Sequence, residues 1–210
     1  MVMNTIDFIT LEVADIAAAQ RFSDAAFGLG DRIRFRASDA ATTGFRGYTL
    51  SITVAQPADV LSYCESAIAA GASVLKPAAK SMWGFGGVVQ APDGAIWTLA
   101  TSSKKDTGPA TRDIESVVLL LGVEDVGASK KFYTSHGLAV GKSFGSKYVE
   151  FVVSEPDIQL SLYSRRAAAK DAGVDSEGAG SHRITVVSDA GAFTDPDGFG
   201  WELSTADRTA

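Results

Sequence analysis

This chain has few of the side chains that metal and nucleophile chemistry most often use. It holds two histidines and one cysteine among 210 residues. A single cysteine excludes an internal disulfide and fits a reducing compartment. Two histidines leave no credible Ser/His/Asp arrangement. No stretch approaches the roughly 18 uninterrupted apolar residues of a membrane span. The N-terminus, MVMNTIDF, lacks a basic n-region and an apolar h-region, so no signal peptide is expected. Basic residues are in the minority, 19 against 25 acidic, for a net charge of −6. An acidic surface does not suit a phosphate backbone. Gly84-Phe85-Gly86-Gly87 lacks the Lys and Ser/Thr of a phosphate loop. These absences point to a cytoplasmic globular protein with no nucleic-acid or membrane partner.

What is present is said twice. Residues 9–22 read ITLEVADIAAAQRF and residues 119–132 read LLLGVEDVGASKKF. Val13, Asp15 and Phe22 return as Val123, Asp125 and Phe132, each 110 positions later. Pro92-Asp93-Gly94 with Trp97-Thr98-Leu99 returns as Pro196-Asp197-Gly198 with Trp201-Glu202-Leu203. A repeated opening and a repeated ending predict a duplicated architecture. The predicted halves are 1–104 and 112–210, with a polar linker at 105–111 inside the Gly- and Pro-bearing stretch SSKKDTGPATR.

Alternation predicts a strand over 6–13, with Ile9, Leu11 and Val13 on one face. Asp15 suits a helix N-cap, and Gly28 and Gly30 end that helix. Strands follow over 32–37 and 48–55. Pro57 opens a helix over 57–70 that Gly71 closes. Further strands are predicted near 73–76, 86–91 and 95–101. The second half repeats strand 114–123 and helix 126–136, then strands 147–153 and 158–163. A short helix and a Gly-rich loop occupy 165–180. One strand begins near His182, and the last covers 199–205. The first half is short of strands before residue 48, and the second has no helix between 187 and 195.

A strand, Val-x-Asp, a helix bearing Phe, and later Asp-Pro-Asp-Gly with Trp-Glu-Leu resemble the glyoxalase/bleomycin-resistance/extradiol-dioxygenase superfamily, the vicinal oxygen chelate proteins. The resemblance covers both halves. It implies an α+β fold of tandem βαβββ modules, with curved mixed sheets forming a cup and helices outside. It implies a divalent metal held by His, Gln or Glu from the first strand, the strand opening the second module and the last strand, since a Lewis acid that chelates two substrate oxygens needs about three protein ligands and open positions.

At the positions the resemblance marks, the first half has Phe8, Thr49 and Thr98, which form no ligand set. The second half has Val118, His182 and Glu202. His182 and Glu202 are therefore the candidate metal ligands and candidate catalytic pair, with the third ligand missing. Glu115, Ser116 or Glu150 could complete it. Two readings of the pair follow: a divalent metal site, or a histidine partnering a cavity carboxylate. Phe8, Thr10, Thr98, Val118 and Leu120 are candidate ligand-binding positions by alternation, Arg36 is a candidate for binding an anionic ligand group, and Trp83 and Phe85 form an aromatic lip. Trp97 and Trp201 face the opposite way and read as core. His136 reads as a helix-end residue and Cys64 as packing. The inventory predicts a small hydrophobic or aromatic ligand bound without a standard metal, by a monomer or homodimer. The alternative is a metal-dependent lyase, isomerase or dioxygenase centred on His182 and Glu202.

Overall fold

A computed structural model describes residues 5–152 and 158–205. The first half runs β1 (Ile6–Val13), α1 (Ile16–Ala26), β2 (Ile33–Ala37), β3 (Thr43–Gly44), β4 (Tyr48–Thr53), α2 (Pro57–Ala69), β5 (Ser73–Ser81), β6 (Gly84–Gln90) and β7 (Ile96–Thr101). The second runs β8 (Ser116–Val123), α3 (Val126–Ser135), β9 (Val140–Phe144), β10 (Tyr148–Phe151), β11 (Ile158–Ser164), α4 (Arg165–Ala172), β12 (Gly178–Ala179), β13 (Ile184–Ser188), β14 (Phe193–Thr194) and β15 (Gly200–Leu203). The fold is α+β.

The repeat is visible in its caps. Asp15 accepts from the Ala18 N–H at 2.9 Å, and Asp125 accepts from Gly127 and Ala128 N–H at 2.8 and 3.0 Å. Each satisfies amide donors that a helix start leaves without a partner. Gly137, at φ +88°, follows α3 in a conformation that other residues rarely adopt.

Each half gives strands to both large sheets. Eight strands form one sheet in the order β5-β6-β7-β4-β8-β11-β10-β9, and five form the other in the order β14-β15-β13-β1-β2. The junctions are antiparallel, β4 with β8 and β13 with β1. The eight-stranded sheet is the complete one. Among the described residues, the five-stranded sheet lacks outer strands, and on its β2 side this matches the strand-poor stretch before residue 48.

Several elements depart from the sequence expectation, among them the two-residue strands β3, β12 and β14, which were not foreseen. β9 was not foreseen: its residues 141–144 are all exposed, so no apolar alternation marks it. β5 runs to Ser81 rather than 76. It is an edge strand whose pairing shifts on either side of Lys76, and an edge tolerates Pro77. The strand near His182 starts at Ile184, after a single 3₁₀ turn over Ser181–Arg183.

One core joins both sheets with α1, α2 and α3. It includes Ile9, Leu11, Trp97, Leu119 and Trp201. Both tryptophans are buried in it, on the face opposite Thr98 and Glu202. The buried Cys64 thiol is pushed up to about 11 by burial, which suits packing rather than nucleophilic chemistry. Under α3, Asp195 ties the core together. Its Oδ2 accepts from the Tyr133 hydroxyl at 2.6 Å, and its Oδ1 accepts from the N–H groups of Asp197 and Phe199.

The fourth helix breaks the expected pattern of helices outside. Ala168, Ala169 and Ala172 of α4 pack against Val88, Ile96, Leu120 and Tyr163 in a second cluster, on the inner face of the eight-stranded sheet. Its approach depends on Gly122, where an added Cβ would lie 3.0 Å from the Gly47 carbonyl and 3.1 Å from the Ala168 Cβ. Lys76 caps the helix end, donating to the carbonyls of Lys170 and Asp171 at 2.8 and 2.7 Å.

Two stability measurements check this packing. Gly122→Val should lower the urea-unfolding free energy by about 1–3 kcal/mol through overpacking under α4. Asp195→Ala should cost about 2–3 kcal/mol, because it leaves the Tyr133 hydroxyl and two turn amides without their acceptor.

Candidate functional site

Strand register decides which side chains stand abreast. On the inner face of the eight-stranded sheet, Val88, Thr98, Ser51, Val118 and Gln159 form one row across β6, β7, β4, β8 and β11. The next row carries Ile96, Thr49, Leu120 and Ser161. α4 covers this second row at Ile96 and Leu120, leaving Thr49 and Ser161 buried. The first row is half-buried at Thr98, Ser51, Val118 and Gln159.

The open row is polar and uncharged. Gln159 Nε2 donates to the Phe151 carbonyl at 2.6 Å, which fixes the amide and leaves its oxygen as an acceptor. Among the described residues, the side-chain hydroxyls of Ser51 and Thr98 have no partner. Thr53 and Ser116 bond each other at 2.5 Å in the row beyond. On the β9–β10 side, the Tyr148 hydroxyl meets Ser161 Oγ at 3.0 Å and donates to Glu150 at 3.2 Å, and Glu150 pairs with Lys142. Burial raises the Tyr148 pKa, so the phenol is held as a donor.

The five-stranded sheet has the corresponding row Glu202, Val187, Phe8 and Arg32. There Arg36 donates to both Glu202 oxygens at 2.9 Å, and Arg34 lies over the Phe8 ring at 3.7 Å. The Arg36–Glu202 pair spans the buried Thr10 and Thr185, which face each other between β1 and β13.

These placements correct several expectations. Phe8 and Thr10 share a sheet with Glu202, whereas Thr98, Val118 and Leu120 belong to the other. They do not line one cup. His182 is exposed and does not face Glu202, whose oxygens engage Arg36. The repeat counterpart of Thr49 is Thr185, since Thr49 lies opposite Leu120 and Thr185 lies opposite Thr10. His182 is three positions out of register, because a turn precedes the strand. Phe85 packs against the main core rather than on the inner face, with its neighbour Gly86 on the other side of the sheet. Trp83 and Met82 are exposed at the β5–β6 turn. Arg36 binds a carboxylate, but it is the chain's own.

The residues present do not fit a resident transition metal. Row positions in the eight-stranded sheet offer hydroxyl, amide and valine side chains, and the matching face of the five-stranded sheet offers Glu12 and Glu202, both paired with Arg36. Glu115 is exposed, Ser116 bonds Thr53, and Glu150 pairs with Lys142. Among the described residues, no group of three His, Cys, Asp or Glu side chains is placed to hold a metal. No described helix is long and apolar enough to cross a membrane.

Removing the Arg36–Glu202 contact tests its role. The partners are 45% and 48% exposed. Arg36→Ala should therefore change unfolding free energy by no more than about 1 kcal/mol, and added salt should shrink the difference.

No protein-family model matches the chain, and no curated protein matches it. Solved structures do. Glyoxalase I from Zea mays superposes with a TM-score of 0.63 at 15% identity, covering 95% of this chain and 92% of that one. A putative dioxygenase from Bacillus subtilis subsp. subtilis str. 168 gives 0.55 at 13% identity, covering 87% and 69%. The chain has the vicinal oxygen chelate fold that the sequence motifs suggested.

Proposed function

We propose that this chain, built on the vicinal oxygen chelate fold, binds a small uncharged molecule on the inner face of the eight-stranded sheet without a resident metal. The row Thr98–Ser51–Val118–Gln159 carries the reading. Two of its members, Thr98 and Val118, stand where the resemblance puts metal ligands, yet the row offers hydrogen-bond donors and acceptors beside valines. A flat aromatic or apolar ligand with one hydrogen-bonding edge matches that surface. α4 sets the size limit by filling the adjoining row. The role is sequestration, of the bleomycin-resistance kind.

The names of the structural neighbours favour a second reading, a metal-dependent lyase, isomerase or dioxygenase centred on His182 and Glu202. Against it stand the exposure of His182 and the two hydrogen bonds from Arg36 to Glu202.

Thermal unfolding with a panel of uncharged aromatic compounds separates the two. Compounds that bind should raise the wild-type melting temperature, and a concentration of 100 times Kd adds about 2.7 kcal/mol. Val118→Trp, which fills the open row, should abolish the shift. Stoichiometric Mn²⁺ or Zn²⁺ binding that disappears in His182→Ala would decide for the second reading.

A further inference from the structure

The two Pro-Asp-Gly turns are copies in sequence but not in contacts. In the second copy, Asp195 precedes Pro196 and caps the turn, accepting from Asp197 and Phe199 N–H at 3.0 and 2.8 Å. This leaves the Asp197 carboxylate to reach α3. Its Oδ1 accepts from the Glu124 N–H at 2.8 Å, and its Oδ2 accepts from the Ser129 hydroxyl at 3.3 Å.

In the first copy the capping residue is Ala91. Alanine has no acceptor, so Asp93 turns its own carboxylate back to the Ala95 N–H at 2.8 Å. It does not reach α1. Ala14 and Ala19 stand where Glu124 and Ser129 stand in the second copy. Between the turn and α1 lies a cleft of about 250 Å³. Its apolar walls include Ala18, Ala19, Phe22 and Pro92, and Arg183 also lines it.

We propose that this cleft binds a small monocarboxylate, whose carboxylate takes the place that the Asp197 carboxylate holds in the second repeat. The proposal is independent of the eight-stranded cup. The Ala14 N–H, counterpart of the Glu124 N–H, makes no hydrogen bond to a described residue and supplies a donor. Arg183 is only 8% exposed, and its buried Nε has no partner. Its terminal nitrogens donate to the carbonyls of Glu12, Ser38 and Ala40, which hold the positive charge beside the cleft. The walls take a short apolar tail.

Asp15 and Asp93 also line the cleft. Asp15 is engaged with the Ala18 N–H. Burial raises the Asp93 pKa, and its carboxylate is engaged with the Ala95 N–H. The second repeat shows that such company is tolerated, since the Asp197 carboxylate lies close enough to Asp195 to act on its charge, without an arginine at the counterpart of Arg183, which is Gly47.

Titration of propionate into isotope-labelled protein, followed by amide resonances, tests the proposal. The Ala14 amide should shift saturably. Propionamide, alike in shape but uncharged, should bind at least about tenfold more weakly. Ala91→Asp restores the missing cap, releases Asp93 toward α1 and should abolish the shift. Ala18→Phe fills the cleft from the exposed side of α1 without touching the turn, and should abolish it as well should Ala91→Asp fail to fold. No Ala14 shift with propionate, an equal response to propionamide, or an undiminished response in Ala18→Phe would overturn the proposal.

Discussion

Six residues of β4 lie against six of β8, from Tyr48 opposite Leu121 to Thr53 opposite Ser116. The five-stranded sheet is joined in the same sense, with Ile9 opposite Val186 and Leu11 opposite Ile184. Every other feature depends on these antiparallel junctions. A slip of one residue would exchange the two faces of a strand. It would drive Leu50, Ile52 and Leu119 out of the core and put Ser51 and Val118 in. The apolar set therefore locks the register, and the register in turn sets which side chains share the inner row. Because the junctions join the two halves of the chain, neither half completes a sheet alone.

Once the register is fixed, the two sheets diverge through a few substitutions. Gly122 leaves no side chain between β8 and α4, so the helix settles inside the eight-stranded sheet and occupies part of its inner face. Among the described residues, no helix does this in the five-stranded sheet. Arg34 and Arg36 cover the corresponding surface instead, one on the Phe8 ring and one on Glu202. Ala91 in place of a capping aspartate redirects Asp93 and leaves a cleft where its counterpart makes a dock. The two halves share a scaffold, and single side chains set what each presents.

Local features were legible in the sequence. Asp15 marked its helix start because an N-cap acts within three residues, and Asp125, its repeat counterpart, caps α3 in the same way. Alternation placed Trp97 and Trp201 in the core and Thr98 and Glu202 on the other face. The family motifs led to the fold. Strand partners were not legible, because alternation assigns a face and not a neighbour. Phe8 and Thr98 were thus grouped together although they sit in different sheets. His182 was read as a strand residue because nothing local distinguishes a 3₁₀ turn from a strand start. The Arg36–Glu202 pairing joins residues 166 apart in sequence and needed the fold to reveal it.

The central claim is that ligand chemistry belongs to the uncharged row of the eight-stranded sheet and not to the His182 and Glu202 positions. The most direct test is an amide-resonance map recorded with a saturating uncharged aromatic ligand. The account predicts perturbations that cluster at Ser51, Thr98, Val118 and Gln159. Perturbations confined to His182 and Glu202, with that row unchanged, would contradict it.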